Sequence, residues 1–183
     1  MPFRRNRFHR RRWPTWFVVS ALGLLVLVRA WQESQLPDEP ELLDAGPHEV
    51  TDVVDGDTLV LANQARVRLF GADTPETKHP SLPPEPWGHE ATEYTRAFIG
   101  SALVRLEFDL ERKDRFGRFL AYVYVEDRLL NEELLRAGLA RARLEYPYSA
   151  EMKRRFQKAE AEAKATRRGI WSSPIPAVPP GGA

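Results

Sequence analysis

From residue 50 onward the apolar and polar positions change period several times. Val50–Val54 and Leu59–Leu61 are short aliphatic runs on either side of Asp55-Gly56-Asp57, a turn sequence, so a hairpin is predicted. Asn63-Gln64 marks a second turn, leading into Arg66–Phe70, where apolar and basic residues alternate. Val104, Leu106 and Phe108 alternate with Arg105, Glu107 and Asp109, and Phe119–Val125 is β-branched and aromatic. The charged turn Asp114–Arg118 lies between these two runs. Helical spacing appears at Ala91, Tyr94/Thr95 and Phe98, and Gly100 stops that run. Asn131 is expected to N-cap a short helix, with Glu132 and Glu133 in its first turn and Gly138 at its end. Ser149 is expected to N-cap a longer one, striped by Met152, Phe156, Ala159 and Ala163 and ended by Gly169. These stripes suit core faces.

The order is three strands, a helix, two strands and two helices. Segregated strands and helices predict an α+β domain. Five antiparallel strands with an inserted helix can close into a barrel of the OB type.

The N-terminus follows another pattern. Trp13–Val28 carries no charge, and Arg29 is the only charge before Trp31. Six arginines between Arg4 and Arg12 precede this run, a distribution that holds the N-terminus in the cytoplasm and sends the rest across. The length falls between a signal-peptide core and a full span. An uncleaved signal anchor over 13–31 is favoured over a cleaved signal peptide, and residues 1–12 form its basic cytoplasmic segment. Residues 32–46 are acidic with Pro37 and Pro40 and are expected to be an extended linker. Residues 173–183 form a proline-rich tail without a packed element. The folded domain is thus expected over 47–172.

Charge sharpens this division. The 183-residue chain has a net charge of only +1. Residues 1–31 carry +7, residues 32–46 carry −5 and residues 47–183 carry −1. The basic charge is therefore topogenic, and the domain lacks the broad footprint of a tight nucleic-acid binder. The absence of cysteine excludes a disulfide scaffold, a thiolate metal site and a cysteine nucleophile. Candidate chemistry lies in Asp55-Gly56-Asp57-Thr58, in Asp73–Thr77, and in Arg68 and Arg118. Carboxylates without cysteine or a close histidine pair suit a hard cation such as Ca²⁺.

Together, Val54–Thr58, Arg68–Pro80, Asp114–Tyr122, Asn131–Ala140 and Gly169–Trp171 resemble the thermonuclease (staphylococcal nuclease) family. The resemblance spans essentially the whole domain. It implies an OB barrel with three helices and a Ca²⁺-dependent phosphodiesterase acting on DNA and RNA, with single-stranded or frayed substrates preferred. Family members break the bond from phosphorus to the 5′ oxygen and leave 3′-phosphate ends. Asp57, Asp73 and the Thr74 carbonyl match the metal ligands. Glu76 matches the general base, and Arg68 and Arg118 match the phosphate-binding arginines. Arg115, Phe116, Tyr146 and Tyr148 are candidates for substrate contact. The loop 80–87 lacks the lysines of the best-known member, Phe116 replaces a hydroxyl-bearing aromatic, and Leu144 stands at a base-stacking tyrosine position. Tyr146 or Tyr148 can supply the stacking face instead. A monomer without an obligate protein partner is expected, displayed outside the cytoplasmic membrane. A non-catalytic binding module of the same fold is the alternative, and a structural envelope protein is a third reading.

Overall fold

The computed structural model describes residues 42–78 and 83–172, together with Leu24 and Arg29. The chain forms two compact units, Met1–Asp38 and Glu39–Ala183. The expected anchor over 13–31, residues 32–41 of the linker, part of the loop 80–87 and the tail 173–183 lie outside the described residues; of the anchor, only Leu24 and Arg29 are described, both helical. Among the described residues, no helix is long and apolar enough to cross a membrane.

The second unit is α+β, with three helices and a sheet of several strands. The strands are β1 (Pro47–His48), β2 (Val50–Asp55), β3 (Thr58–Leu61), β4 (Arg66–Leu69) and β5 (Ala72–Asp73), then β6 (Val104–Glu107), β7 (Phe119–Val125), β8 (Arg128–Leu129) and β9 (Arg141–Ala142). The helices are α1 (Gly88–Ile99), α2 (Leu130–Ala137) and α3 (Ala150–Ala165). Both predicted early turns form. Asp55 pairs with Thr58 across Gly56-Asp57. Gln64 takes a left-handed φ of 66°, and Asn63 Oδ1 accepts from the Ala65 N–H at 3.2 Å.

Two expectations about the sheet are corrected. Its hydrogen-bonded order is β1-β6-β7-β4-β3-β2, so the ladder is open rather than a closed barrel. The two ends of that order, β1 and β2, are successive pieces of one segment separated by Glu49, and successive pieces cannot pair with each other. Nor is the sheet wholly antiparallel, because β4 and β7 run parallel, with Arg68 opposite Leu120. The connection between them includes α1 and β6, which is long enough for a parallel crossover.

The core lies between the sheet and the helices. Phe119, Phe156, Leu59, Leu69, Leu106 and Leu134 are completely buried. The predicted α3 stripe of Met152, Phe156, Ala159 and Ala163 is buried as a unit, and Ser149 Oγ caps α3 by accepting from the Met152 N–H. The short helix is different. It starts at Leu130 and has no side-chain cap. Asn131, expected at that cap, is buried. Its Oδ1 accepts from the Val123 N–H, and its Nδ2 donates to the carbonyls of Phe70 and Ala121. It therefore ties the backbone just after β4 to the middle of β7, where the Ala121 carbonyl also accepts from the Phe70 N–H. Gly138 ends α2 with φ 72°, and Ile170 N–H donates to its carbonyl at 2.8 Å. The Gly169–Trp171 turn packs so closely there that a Cβ on Gly169 would lie 2.0 Å from the Gly138 oxygen.

Candidate active site

The site begins at the β2–β3 turn. Gly56 is there because nothing larger fits: a Cβ would meet Ala91 at 2.7 Å and the Thr74 side chain at 2.9 Å. Its carbonyl accepts from Thr95 Oγ1 of α1 at 2.6 Å. Helix α1 thereby clamps the turn and fixes the next residue, Asp57, which is 1% exposed. Asp57 Oδ1 accepts from Arg68 Nη1 at 2.5 Å and from Thr58 Oγ1 at 3.1 Å, and Oδ2 accepts from the Thr74 N–H at 2.8 Å. Arg68 lies on β4, next to β3, and its other terminal nitrogen donates to Asp73 Oδ1. One planar guanidinium thus spans the two carboxylates.

The electrostatics follow from burial. Burial pushes the Asp57 carboxyl up, and the neighbouring Asp55 adds to that, while Arg68 and the Thr74 N–H pull it down without cancelling the effect. Burial works to lower Arg68, but the carboxylates of Asp57 and Asp73 outweigh it and raise its pKa, so the guanidinium stays charged. The donors are hard oxygens, Asp57 is a buried carboxylate that added positive charge would keep ionised, and the buried Thr74 hydroxyl has no partner among the described residues. These residues fit a hard cation. Among the described residues, no three acidic or histidine side chains form a ready cage. Thr74 meets Asp57 through its N–H.

Arg118 comes from the turn before β7. Asp114 organises that turn: its Oδ1 accepts from the N–H groups of Phe116 and Arg118, and its Oδ2 accepts from Arg118 Nε at 2.8 Å and pairs with Nη2 at 2.7 Å. The Arg118 fork is therefore held before any ligand arrives. Arg68 and Arg118 both line a cavity of about 410 Å³, with Arg115, Phe116, Arg143 and Tyr146 among its other walls. Phe116 is 68% exposed, with the guanidinium carbon of Arg115 at 4.7 Å from its ring centroid. Tyr146 is 43% exposed and offers a ring to the cavity.

Tyr148 does not share this placement, and its expected stacking role is corrected. It is 6% exposed, with Phe70 and Phe156 at ring-centroid distances of 5.2 Å and 5.9 Å. Its hydroxyl is buried without a partner among the described residues, and burial pushes its pKa up to about 12. No face is left for a base. Glu76 is on the loop after Thr74 and is exposed. Its Oε1 accepts from the Lys78 N–H at 2.7 Å, a local turn within that loop. Sequence reasoning missed two participants. Asp114 positions Arg118, and Arg143 reaches Asp73 Oδ2 at 3.0 Å. The Asx-turn pattern Asp114-x-x-Gly117 offered a signal for the first. The second depends on a pairing between distant strands.

The chain is similar to known nucleases over most of its length. Across 129 residues the chain is 39% identical to a thermonuclease of Staphylococcus hyicus, covering 69% of this chain and 76% of that protein. It is 35% identical over 162 residues to a thermonuclease of Staphylococcus intermedius, covering 86% and 96%. It is 41% identical over 123 residues to the SPbeta prophage-derived endonuclease YokF of Bacillus subtilis, covering 65% of this chain but 42% of that protein. A family model described as staphylococcal nuclease homologue matches residues 66–173, a stretch that holds Arg68, Asp73, Glu76 and Arg118. With more than half its length matched by that model, the chain belongs to the staphylococcal nuclease homologue family.

Proposed function

We propose that the chain is a Ca²⁺-dependent nuclease that hydrolyses phosphodiester bonds of DNA and RNA. The observation that carries this reading is the Arg68 guanidinium, held between Asp57 and Asp73 and opening onto the cavity that also holds Arg118. A phosphodiester is an anion, and an attacking water meets its repulsion. Two oriented arginines offset the charge that grows on the phosphate oxygens in the transition state. Asp57, Asp73 and the Thr74 carbonyl would hold Ca²⁺, which supplies further positive charge at a phosphate oxygen when bound. Glu76 is the base in this reading: it takes a proton from water as the water oxygen bonds to phosphorus. The bond to the 5′ oxygen breaks, that oxygen takes a proton from solvent water, and a 3′-phosphate end remains. The thermonuclease and endonuclease names of the relatives support the reaction class.

Display outside the cytoplasmic membrane belongs to the same proposal and rests on Arg4–Arg12 and the apolar run after them. Recovery of the chain in the soluble cytoplasmic fraction would overturn it. Catalysis is tested with the full chain on single-stranded DNA, first with Ca²⁺ and then with chelator. Cleavage is expected only with Ca²⁺, and Glu76→Gln is expected to lose about 10²–10⁴ in rate. Cleavage that survives chelation, or a fully active Glu76→Gln variant, would sink the reading.

A further inference from the structure

Arg143 belongs to none of the motifs above, yet it lines the cavity with Arg68 and Arg118. Its position is built by the β5–β9 ladder. Ala72 pairs with Ala142 and Asp73 with Arg141, and the Arg143 N–H donates to the Gly71 carbonyl at 3.0 Å. That register sets Arg143 diagonally across from Asp73 on one face of the ladder. Its Nη1 meets Asp73 Oδ2 at 3.0 Å, while Arg68 holds Oδ1 of the same carboxylate. Its Nε donates to Glu145 at 2.6 Å. Its remaining nitrogen, Nη2, has no hydrogen-bond partner among the described residues. The guanidinium carbon is 5.5 Å from the Tyr146 ring centroid, and the side chain is 40% exposed, so the group stands at the rim of the cavity.

A second arginine is not needed to hold Asp73, because Arg68 already does so. A rim cation with a spare donor is suited to an anion that arrives from outside. A nucleic-acid strand carries one phosphate per nucleotide, so a strand with its scissile phosphate at Arg68 and Arg118 carries neighbouring phosphates for which a rim cation of the same cavity is a suitable partner. Residues 47–183 sum to −1 and supply no diffuse field to attract it. We propose that Arg143 binds the phosphate next to the scissile one and so makes the site prefer polynucleotides to diesters with a single phosphate. This rests on the nuclease reading above.

The test compares the full chain with Arg143→Ala and Arg143→Gln on two substrates in Ca²⁺. One is a short single-stranded oligonucleotide, and the other is a nitrophenyl nucleoside diester with one phosphate. The ratio of kcat/KM, oligonucleotide over single diester, is expected to fall about tenfold through the oligonucleotide KM. The dependence of log KM on log salt is expected to flatten by about 0.7. Arg143→Gln keeps a donor for Asp73 but loses the charge, so it is expected to show the same fall, and it carries the test if Arg143→Ala does not fold. A ratio that stays at the wild-type value in Arg143→Gln, whether both activities drop together or neither drops, overturns the proposal and leaves Arg143 as a support for Asp73. A wild-type chain that cleaves neither substrate fails the nuclease reading itself, a result seen before any variant is made.

Discussion

At the scale of single residues, the site turns on one guanidinium shared between two carboxylates. Arg68 joins the β2–β3 turn, through Asp57, to β5, through Asp73. A lysine could meet one of those carboxylates but could not span both with a planar fork. Arg68→Lys is therefore expected to keep the fold and lose about 10²–10³ in kcat, read by steady-state cleavage of single-stranded DNA beside a thermal melt. A variant that cleaves at the wild-type rate would show that charge alone suffices. Asp57, Arg68 and Asp73 were legible because each falls inside a short motif at a turn or strand end. Tyr148 was not. It stands two residues from Tyr146, and the sequence does not show that one ring faces the cavity while the other packs between Phe70 and Phe156. Arg143 was hidden for a related reason: its partner, Asp73, is 70 positions away.

Among the elements, the long strands and α3 were legible from their periods, whereas β1, β5, β8 and β9 have two residues each and carry no period at all. Asn131 shows how a local rule can mislead. A cap is a contact with the helix's own first turn, but the actual partners of Asn131 lie outside that helix, at Val123 and Ala121 on β7 and at Phe70, 61 positions away. Asp109 is a similar cross-link. It follows β6, accepts from Tyr122 Oη of β7 at 2.7 Å, and accepts from the Ser149 N–H at the start of α3 at 2.9 Å. Partial burial works to raise its carboxyl, but those bonds and the Leu110 N–H outweigh it and hold the pKa below the usual carboxylate range. A lowered folded-state pKa means that the stabilisation is fully present above the unfolded value of about 3.9 and is lost as pH falls through the folded value. Asp109→Asn is therefore expected to lower Tm at pH 7 and to reduce the fall of Tm with acid below about pH 4. Parallel wild-type and variant curves of Tm against pH would exclude this role.

For the whole molecule, the question is which charge meets the substrate. A net charge of +1 conceals an N-terminal +7, a linker at −5 and a domain-plus-tail at −1. If the N-terminal arginines serve topology, they contribute nothing to substrate affinity. Binding then rests on the cations assigned to phosphates above, Arg68, Arg118 and Arg143, which share the cavity with Arg115. Three phosphate contacts to a single strand give a slope of log affinity against log salt of about −2, at about 0.7 per contact. Six further contacts from Arg4, Arg5, Arg7, Arg10, Arg11 and Arg12 would bring the slope to about −6. Replacing those six arginines with glutamine is therefore expected to leave the slope near −2 for the full chain bound to a single-stranded oligonucleotide in chelator. A wild-type slope near −6 that falls to −2 on replacement would show that the N-terminal segment grips nucleic acid, and it would remove the reason for assigning those arginines to the membrane alone.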